Sequence, residues 1–418
     1  MRIGTIITAA CITLFAGLML LGCGGGEEKP AKTETATETA TEAAPSDASP
    51  DTSPIRVGGL IDLSGPTSSV GVPYADGIKA AVKYVNDNGG INGRMLSFDL
   101  QDTAYNVQQG LSLYKKMVNT DKVVCIQGFG SAVTEALVRT LAKDMIPNFS
   151  ASYSAHLTDP RTAPYNFFTS ADYSTQLRAA LMHFRSQWTQ ERAPKVAFIY
   201  PDHPYGLAPI QAGKQYAAEI GYEIVGEVNV ALNAIDATTE LLPLKDKAPD
   251  FCWIGGTTPS TSVILKSAKN IGMTTVFFTN IWGSDETLSM LAGADADGSY
   301  SNQAAAVYGM DVPGMKAIEQ LTEGKPQMTH FTRGFVSVLT MAECMKRAAA
   351  NGPVTGESIK IAAETLRDFD PMGLAPLISF FPDDHRPNMA VFLYTFKDGK
   401  LTFVKEEILE RRADWLGH

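Results

Sequence analysis

From Ile55 onward the sequence alternates short apolar runs with segments whose apolar residues recur at helical spacing. The first run ends at Ile61, and Ala75, Ile78 and Val82 then follow one another at intervals of three or four residues. Near-continuous apolar strands that alternate with helices are typical of parallel sheets covered by helices on both faces. The pattern therefore predicts an α/β fold.

The predicted elements form two similar series. The segments KVVCIQGFGSAVTEAL (122–137) and DFCWIGGTTPSTSVIL (250–265) both run strand, glycine turn, Ser/Thr and helix. A chain of 418 residues also fits two domains at roughly 100–200 residues per domain. We therefore expect two similar lobes. Strands are predicted near 55–61, 95–100, 122–127, 146–149, 195–200, 222–230, 250–254, 276–279, 390–396 and 401–404, and the main helices near 75–88, 106–118, 131–143, 177–188, 205–220, 237–247 and 259–270.

The first 22 residues have the features of a signal peptide. They carry one basic residue, Arg2, and an apolar run from Ile6 to Leu21, which is shorter than the ~20 residues that span a bilayer. The run ends in Leu20-Leu21-Gly22-Cys23 and resembles the lipobox of bacterial lipoproteins. This resemblance implies cleavage before Cys23 and a diacylglycerol on its sulfur. An ordinary secretory leader with an incidental cysteine is the alternative.

The segment that follows, residues 23–54, is predicted to be a disordered tether. Beyond Cys23 it contains no large apolar residue, so it cannot bury enough surface to offset the entropy lost on ordering. Its seven acidic residues and two lysines give it a charge of −5, about half of the net charge of −10 of the chain. The acidic balance also predicts that the protein has no nucleic-acid partner, because phosphates require a Lys/Arg surface.

Motifs for catalysis or metal binding are absent from the sequence. It contains no GxSxG, HExxH, CxxC or GxxxxGK segment, and its six histidines lack the spacing of metal ligands. We therefore predict a binding protein and not an enzyme, with no cofactor and no metal. Cys125, Cys252 and Cys344 also lack ligand spacing and are predicted to be small core residues.

Small hydroxyl residues and aromatic residues follow several predicted strands. Gly128-Phe129-Gly130-Ser131 and the segment 150–154 do so in the first series, and Tyr205, Thr257 and Trp282 hold similar places in the second. Ligands of parallel sheets bind at the carboxyl ends of the strands, and a free helix N-terminus suits a carboxylate. Ser131 is placed to cap the next helix. Each residue alone could be only a cap or part of the core, but their repeated placement predicts a ligand site.

Several longer motifs carry a family resemblance. They are NDNGGINGRML (86–96), PKVAFIYPDHPYG (194–206), IRVGGLIDLSGPTSSVG, IQGFGSAVTEAL, IPNFSASYSAHLTD and PDFCWIGGTTPS. From about 55 to 405 the chain resembles the substrate-binding proteins of branched-chain amino acid (leucine/isoleucine/valine) ABC importers. The resemblance implies the type I periplasmic-binding-protein fold, in which two Rossmann-like lobes joined by three hinge crossings close over a solute.

The same resemblance implies lobe boundaries. Carried onto this chain, the crossings fall near 172, 300 and 376. Lobe 1 then comprises 55–172 plus 300–376, and lobe 2 comprises 173–299 plus 377–418. The ligand cleft would lie between them.

The resemblance also implies roles for individual residues. In the family a serine that matches Ser131 holds the ligand carboxylate, assisted by backbone groups and a hydroxyl that match the stretch from Ser152 to Ser154. Tyr205 and Thr257 match residues that close from the other lobe. The aromatic residues that could wall the site are Tyr105, Phe129, Tyr153 and Trp282.

One departure from the family pattern bears on the ligand. Leucine-type proteins pair the α-ammonium group with an acid in the loop after the strand that matches 276–279, where this chain reads Asn280-Ile281-Trp282-Gly283 and has no carboxylate before Asp285. A buried ammonium group without a partner is costly. Two ligand classes therefore stay open: a branched-chain amino acid, if Asp285 or Asp62 reaches it, and a small carboxylate without an amine, such as an aromatic acid.

These features together predict a lipid-anchored, extracytoplasmic solute-binding protein that faces the periplasm or the cell exterior. Its partners would be a small carboxylate and separate ABC permease and ATPase subunits. A sensory receptor that uses the same fold is the alternative, and neighbouring genes would discriminate between the two.

Overall fold

The computed structural model describes residues 51–418, and these residues form two sheets flanked by helices. The strands of the first sheet are β1 (Ile55–Ile61), β2 (Leu96–Asp102), β3 (Cys125–Gly128), β4 (Asn148–Ser150) and β5 (Asn166–Phe167). All five run parallel, in the spatial order β2-β1-β3-β4-β5.

The second sheet has seven strands. They are β6 (Lys195–Tyr200), β7 (Glu223–Asn229), β8 (Phe251–Ile254), β9 (Val276–Thr279), β10 (Tyr300–Gln303), β11 (Ala390–Lys397) and β12 (Lys400–Ile408). Their spatial order is β12-β11-β10-β9-β8-β6-β7. Strands β6 to β10 run parallel, whereas β11 and β12 form an antiparallel hairpin at one edge.

Helices cover both faces of the sheets. They are α1 (Ser68–Asp87), α2 (Val107–Lys116), α3 (Ser131–Asp144), α4 (Tyr173–Gln187), α5 (Pro204–Leu207), α6 (Ile210–Glu219), α7 (Thr238–Lys245), α8 (Thr258–Asn270), α9 (Leu288–Ala292), α10 (Pro313–Leu321), α11 (Thr329–Ala349) and α12 (Gly356–Glu364). Alternate residues of β6 show the layering, since Val196 and Phe198 pack in one core and Ala197 and Ile199 in another. Burial on both faces is why the strands read as continuous apolar runs.

The chain passes between the two sheets three times, after β5, after β10 and after α12. The predicted α/β fold with two lobes is therefore confirmed. The lobe boundaries themselves stay a prediction. Near the third crossing, Ile378 and Phe380 pack in the core of the first lobe and Met389 packs in that of the second.

Two glycines bring α1 and α11 into close contact. A Cβ atom on Gly77 would lie 2.0 Å from the carbonyl oxygen of Phe331, and one on Gly334 would lie 2.1 Å from that of Tyr74. Only glycine, whose side chain is a hydrogen atom, permits the two helices to approach this closely. The contact places the first turns of α11 beside the cleft.

Two predicted elements need correction. The single helix predicted over 205–220 is divided into α5 and α6, because Pro209 has no N–H to donate and stands as the cap before Ile210. The strand predicted from Lys122 begins instead at Cys125, because a helical turn of π type continues to Asp121 and Lys122 ends it in the left-handed conformation.

The remaining predictions concern the cysteines and the N-terminal segment. The cysteines 125, 252 and 344 are free and buried in the core, as predicted. The signal peptide, Cys23 and the tether up to residue 50 lie outside the described residues. Within 51–418 no helix has the length and apolarity that a membrane span requires.

Candidate functional site

A small cavity lies between the two lobes at the carboxyl ends of their strands, with a volume of about 20 Å³ accessible to water. Its walls come from both lobes, and none of the described residues that line it carries a charged side chain. The lining residues are Thr67, Val70, Tyr105, Phe129, Gly130, Ser131, Ala151, Tyr173, Tyr205, Thr257 and Trp282. Five residues predicted for the site, Tyr105, Ser131, Tyr205, Thr257 and Trp282, are therefore brought together.

Two helix N-termini from opposite lobes meet at this cavity. Ser131 is the first residue of α3, and Thr257 immediately precedes α8. Neither helix has an acidic residue in its first turn. Each N-terminus carries a partial positive charge of about half a unit, so this cavity favours an anion.

The other helix N-termini at the cavity are already neutralised. Asp62 accepts hydrogen bonds from the Thr67 amide (2.9 Å) and hydroxyl (2.7 Å) before α1. Asp172 accepts from the Thr175 amide (2.8 Å) in the first turn of α4. At α8 the Asp285 carboxylate accepts from the hydroxyl of Thr258, the first residue of that helix. Of α1, α3, α4 and α8, only α3 therefore has no carboxylate of residues 51–418 bonded in its first turn.

Ser131 does not cap its helix, contrary to the sequence prediction. The capping position belongs to Gly130, whose φ of 88° is open to glycine at little cost. The missing Cβ also makes room for Tyr105, since an added Cβ would lie 2.6 Å from the Cε2 atom of that ring. Ser131 therefore moves into the first turn and presents its hydroxyl to the cavity.

The Ser131 hydroxyl ends a chain of serines. Ser152 Oγ donates to Ser131 Oγ at 2.8 Å, and Ser154 Oγ lies 3.5 Å from it and 3.4 Å from Glu135 Oε1. Ser152 and Ser154 do not line the cavity but lie behind Ser131. Because Ser131 accepts from Ser152, its own proton can be donated either to the neighbouring Tyr173 hydroxyl or to a ligand.

The second lobe contributes one free hydroxyl and one committed hydroxyl. Thr257 is 1% exposed, and its Oγ1 atom has no hydrogen-bond partner among the described residues. Tyr205 instead donates its hydroxyl proton to the carbonyl oxygen of Gly256 (2.7 Å) and accepts from Asn280 (2.8 Å). Thr257 can therefore bond a ligand, while Tyr205 serves as a fixed wall.

Trp282 joins the two lobes through aromatic contacts. Its ring stacks on that of Tyr153 (5.6 Å between centroids, 4° between planes) and meets the ring of Phe129 edge-on at 5.5 Å. Its indole N–H donates to the hydroxyl of Tyr173 at 2.9 Å. Tyr153 lies outside the cavity lining and supports Trp282 from behind. The two lobes are thus closed on one another.

The phenols at the cavity are neutral. Burial raises the pKa of Tyr105, Tyr173 and Tyr205 well above the ordinary value. They act as hydrogen-bonding groups and aromatic walls and bring no negative charge.

Neither carboxylate considered for an ammonium group lines the cavity. Asp62 is occupied by Thr67 and by the Gly65 amide (2.6 Å). Asp285 accepts hydrogen bonds from Thr258, Thr287 and His330. Burial alone would raise the pKa of Asp285, but these hydrogen bonds hold it below the ordinary value. Both acids are therefore committed to neighbouring groups.

Sequence reasoning missed Thr67 and Tyr173 as lining residues. Tyr173 follows the crossing predicted near 172, and a residue at a hinge between two lobes is close to the cleft by position. Thr67 stands at the end of the first strand-to-helix loop, another edge position. Within residues 51–418 no cluster of three His, Cys, Asp or Glu side chains could hold a metal ion.

Comparisons with known proteins agree with this architecture. The leucine/isoleucine/valine-binding protein homolog 1 of Brucella abortus is 24% identical over 307 residues, which cover 72% of this chain and 80% of that protein. An ABC transporter substrate-binding protein of Aeropyrum pernix superposes with a TM-score of 0.81 at 28% identity, covering 87% of this chain and 97% of that one.

A branched-chain amino acid ABC transporter protein of Thermus thermophilus, solved with bound valine, gives a TM-score of 0.79 at 22% identity and covers 86% of this chain and 97% of that one. This likeness concerns the fold. The sequence profile of the family described as periplasmic binding protein matches residues 54–400. The chain therefore belongs to the periplasmic binding protein family, a family of binding proteins and not of enzymes.

Proposed function

We propose that this protein is the extracytoplasmic solute-binding component of an ABC importer and that its solute is a small carboxylate without an ammonium group. The observation that carries the proposal is the pair of helix N-termini, at Ser131 and Thr257, that face one cavity from opposite lobes. The relatives described above, which include an ABC transporter substrate-binding protein, support the transport role.

A carboxylate between these two helices would favour closure of the lobes. One oxygen can accept from the Ser131 hydroxyl and the start of α3, and the other from Thr257 and the start of α8. A ligand shifts an equilibrium only by its differential affinity for the two states. Contacts with both lobes exist only in the closed state, so the ligand would stabilise that state.

An α-amino acid fits the cavity less well. Its ammonium group would need an acceptor with negative charge, yet Asp62 and Asp285 are both hydrogen-bonded elsewhere. The cost of burying an unpaired ammonium group is several kcal/mol. A branched-chain amino acid is therefore the competing ligand and not the preferred one.

The rest of the ligand would meet aromatic walls. Tyr105, Phe129 and Trp282 surround the cavity. Its volume of about 20 Å³ accessible to water lies far below the roughly 300–1,000 Å³ of ligand pockets, so a bound acid would require these walls to move apart. Flat or short apolar groups suit such walls. Benzoate-like acids and short branched acids are the expected ligands.

The predicted anchor belongs to the same proposal. Cleavage before Cys23 and attachment of a lipid to its sulfur would hold the folded part at the membrane through the tether. The closed form would then be recognised by separate permease and ATPase subunits. Mass spectrometry of the protein from membranes tests the anchor, and an unmodified Cys23 would contradict it.

A thermal-shift screen of the full-length protein tests the ligand class. The panel pairs L-leucine with 4-methylpentanoate, which lacks only the amine, and benzoate with benzamide, in which an NH2 group replaces one carboxylate oxygen and removes the negative charge. A ligand at 100 times its dissociation constant stabilises the protein by about 2.7 kcal/mol. We expect 4-methylpentanoate or benzoate to raise the melting temperature, and L-leucine and benzamide to leave it unchanged. A shift with L-leucine alone would contradict the proposed ligand class.

A further inference from the structure

A buried polar cluster links the two lobes beside Trp282. His330 and Arg333 enter it from α11 of the first lobe, and Asp285 and Gln303 enter it from the second. His330 Nε2 lies 3.0 Å from Asp285 Oδ2, and Arg333 Nη1 lies 2.7 Å from His330 Nδ1. Arg333 Nη2 donates to Gln303 Oε1. All four side chains are buried.

The hydrogen bonds define the charge state of His330. The Asp285 carboxylate only accepts, so His330 Nε2 carries a proton and donates it. The Arg333 guanidinium only donates, so His330 Nδ1 must be free of a proton and accept. One neutral tautomer satisfies both neighbours. Burial and then the charge of Arg333 lower the pKa of His330 to about 4, in agreement with this assignment.

The neutral imidazole of His330 thus lies between the charged groups of Asp285 and Arg333 and hydrogen-bonds to both. We call these three side chains the relay. Burial lowers the pKa of Arg333 to about 10, which still leaves it charged at neutral pH. Within residues 51–418 its guanidinium makes no direct salt bridge, and its Nε atom has no hydrogen-bond partner. The nearest compensation for this buried cation comes from the other lobe.

The same side chains hold Trp282. The His330 ring stacks on the indole at 5.2 Å between centroids and 24° between planes, and the guanidinium carbon of Arg333 lies 5.0 Å from the indole centroid. Tyr153 makes a further stacking contact with the indole. Both carboxylate oxygens of Glu286, in the second lobe, also lie 3.1 Å from the Thr329 amide at the start of α11.

We propose that His330 and Arg333 are positioning residues for ligand binding. They fix the Trp282 wall of the cavity, and they do so only when the lobes are closed, because their partner Asp285 belongs to the opposite lobe. The relay therefore adds ligand-independent stability to the closed state and orders the aromatic wall against which the ligand packs. This inference rests on the proposed function for its meaning, but its first test needs no ligand.

The test compares Arg333→Gln with a matched variant, Arg178→Gln. Arg178 is equally buried, and its guanidinium carbon lies 4.4 Å from the centroid of Trp415, in a cluster that does not line the ligand cavity. The emission of Trp282 is taken as the difference between each full-length protein and its Trp282→Phe derivative, without ligand. We expect a shift to longer wavelength in Arg333→Gln, from exposure of the indole, and none in Arg178→Gln.

The second readout is calorimetric affinity for 4-methylpentanoate and benzoate. Arg333→Gln should weaken binding about tenfold, a loss on the scale of the coupling energies in buried polar networks. Arg333→Lys should recover part of this affinity. Arg178→Gln should bind within about twofold of the parent protein. If Arg333→Gln fails to fold, His330→Gln and Arg333→Lys give the same comparison. The proposal would be overturned if the emission of Trp282 were unchanged in these variants while their loss of stability equalled that of Arg178→Gln.

The two readouts separate the two proposals. If neither acid binds any variant but Trp282 emission still shifts in Arg333→Gln, the ligand class is wrong and the positioning role holds. If the acids bind the parent protein and Arg333→Gln equally well with unchanged emission, the ligand class holds and the positioning role is wrong.

Discussion

Replacement of Ser131 by alanine tests the carboxylate site directly. The Ser131 side chain is 1% exposed, lines the cavity and accepts a hydrogen bond from Ser152 at 2.8 Å. Its remaining proton is therefore available to a ligand oxygen. A hydrogen bond to a charged group contributes about 1.5–3 kcal/mol. At 1.4 kcal/mol for each tenfold change in affinity, Ser131→Ala should weaken binding roughly 10- to 150-fold.

The stability of the protein should change little in the same variant. Alanine retains the Cβ atom, and Ser152 Oγ still lies 3.4 Å from Ser154 Oγ when Ser131 is lost. We expect a decrease of about 1 kcal/mol or less in the free energy of unfolding. Urea denaturation without ligand measures this change in the free energy of unfolding separately from the affinity.

Ser154→Ala is the matched control for this experiment. Ser154 is equally buried and belongs to the same chain of serines, but it does not line the cavity. Isothermal titration with the best carboxylate of the screen should give Ser154→Ala a dissociation constant within about threefold of that of the parent protein. Affinity of Ser131→Ala within twofold of the parent, at unchanged stability, would refute the role of Ser131.

Three further variants or conditions test other parts of the structure. Gly334→Ala should lower the free energy of unfolding by about 3 kcal/mol, because the added Cβ would lie 2.1 Å from the Tyr74 carbonyl oxygen. Urea denaturation measures this loss, and an unchanged midpoint would contradict the close contact. Tyr205→Phe should cost about 1 kcal/mol of stability, since it removes the hydrogen bond to Gly256, but leave affinity within about threefold; a tenfold loss in titration would show direct ligand contact. Acidification should remove a stabilising contribution of His330, whose pKa is about 4 in the folded state and 6.5 as the ordinary value. The folded state resists the proton that the unfolded state takes up, so the stabilising contribution of His330 is complete above pH 6.5 and falls by about 3 kcal/mol towards pH 4. Burial raises the pKa of Glu286 to about 7, and that group acts in the opposite sense over the same range. The His330 contribution is therefore measured as the difference in the free energy of unfolding between the parent protein and His330→Gln at each pH.

Much of the fold could be predicted because the signals were local. Apolar runs such as 55–61 and 195–200 are strands buried on both faces, and their periodicity does not depend on distant contacts. Pro209 shows the limit of that approach, since the apolar pattern continues past it but the backbone cannot donate a hydrogen bond there. The strand was predicted to begin too early, at Lys122, because the sequence did not show that a π-type turn runs to Asp121 and that Lys122 ends it in the left-handed conformation.

The meeting of Ser131 and Thr257 at one cavity could be predicted for a similar reason. Ser131 and Thr257 follow strands, and the carboxyl ends of parallel strands meet at one edge. The relay through His330 could not be predicted, because Asp285 and Arg333 are 48 positions apart in the sequence and no spacing rule joins them. Whether Ser131 lies at the cap or in the first turn was likewise decided by Gly130 and its contact with Tyr105, a tertiary feature.

The central claim is that the cavity selects a carboxylate and has no partner for an ammonium group. Calorimetric titration of the full-length protein with 4-methylpentanoate and with L-leucine tests it most directly, since the two molecules share the carboxylate and the branched chain. An unpaired buried ammonium group costs several kcal/mol, so we predict that 4-methylpentanoate binds at least about 100-fold more tightly, which corresponds to roughly 2.8 kcal/mol. Equal affinity, or tighter binding of L-leucine, would contradict the account.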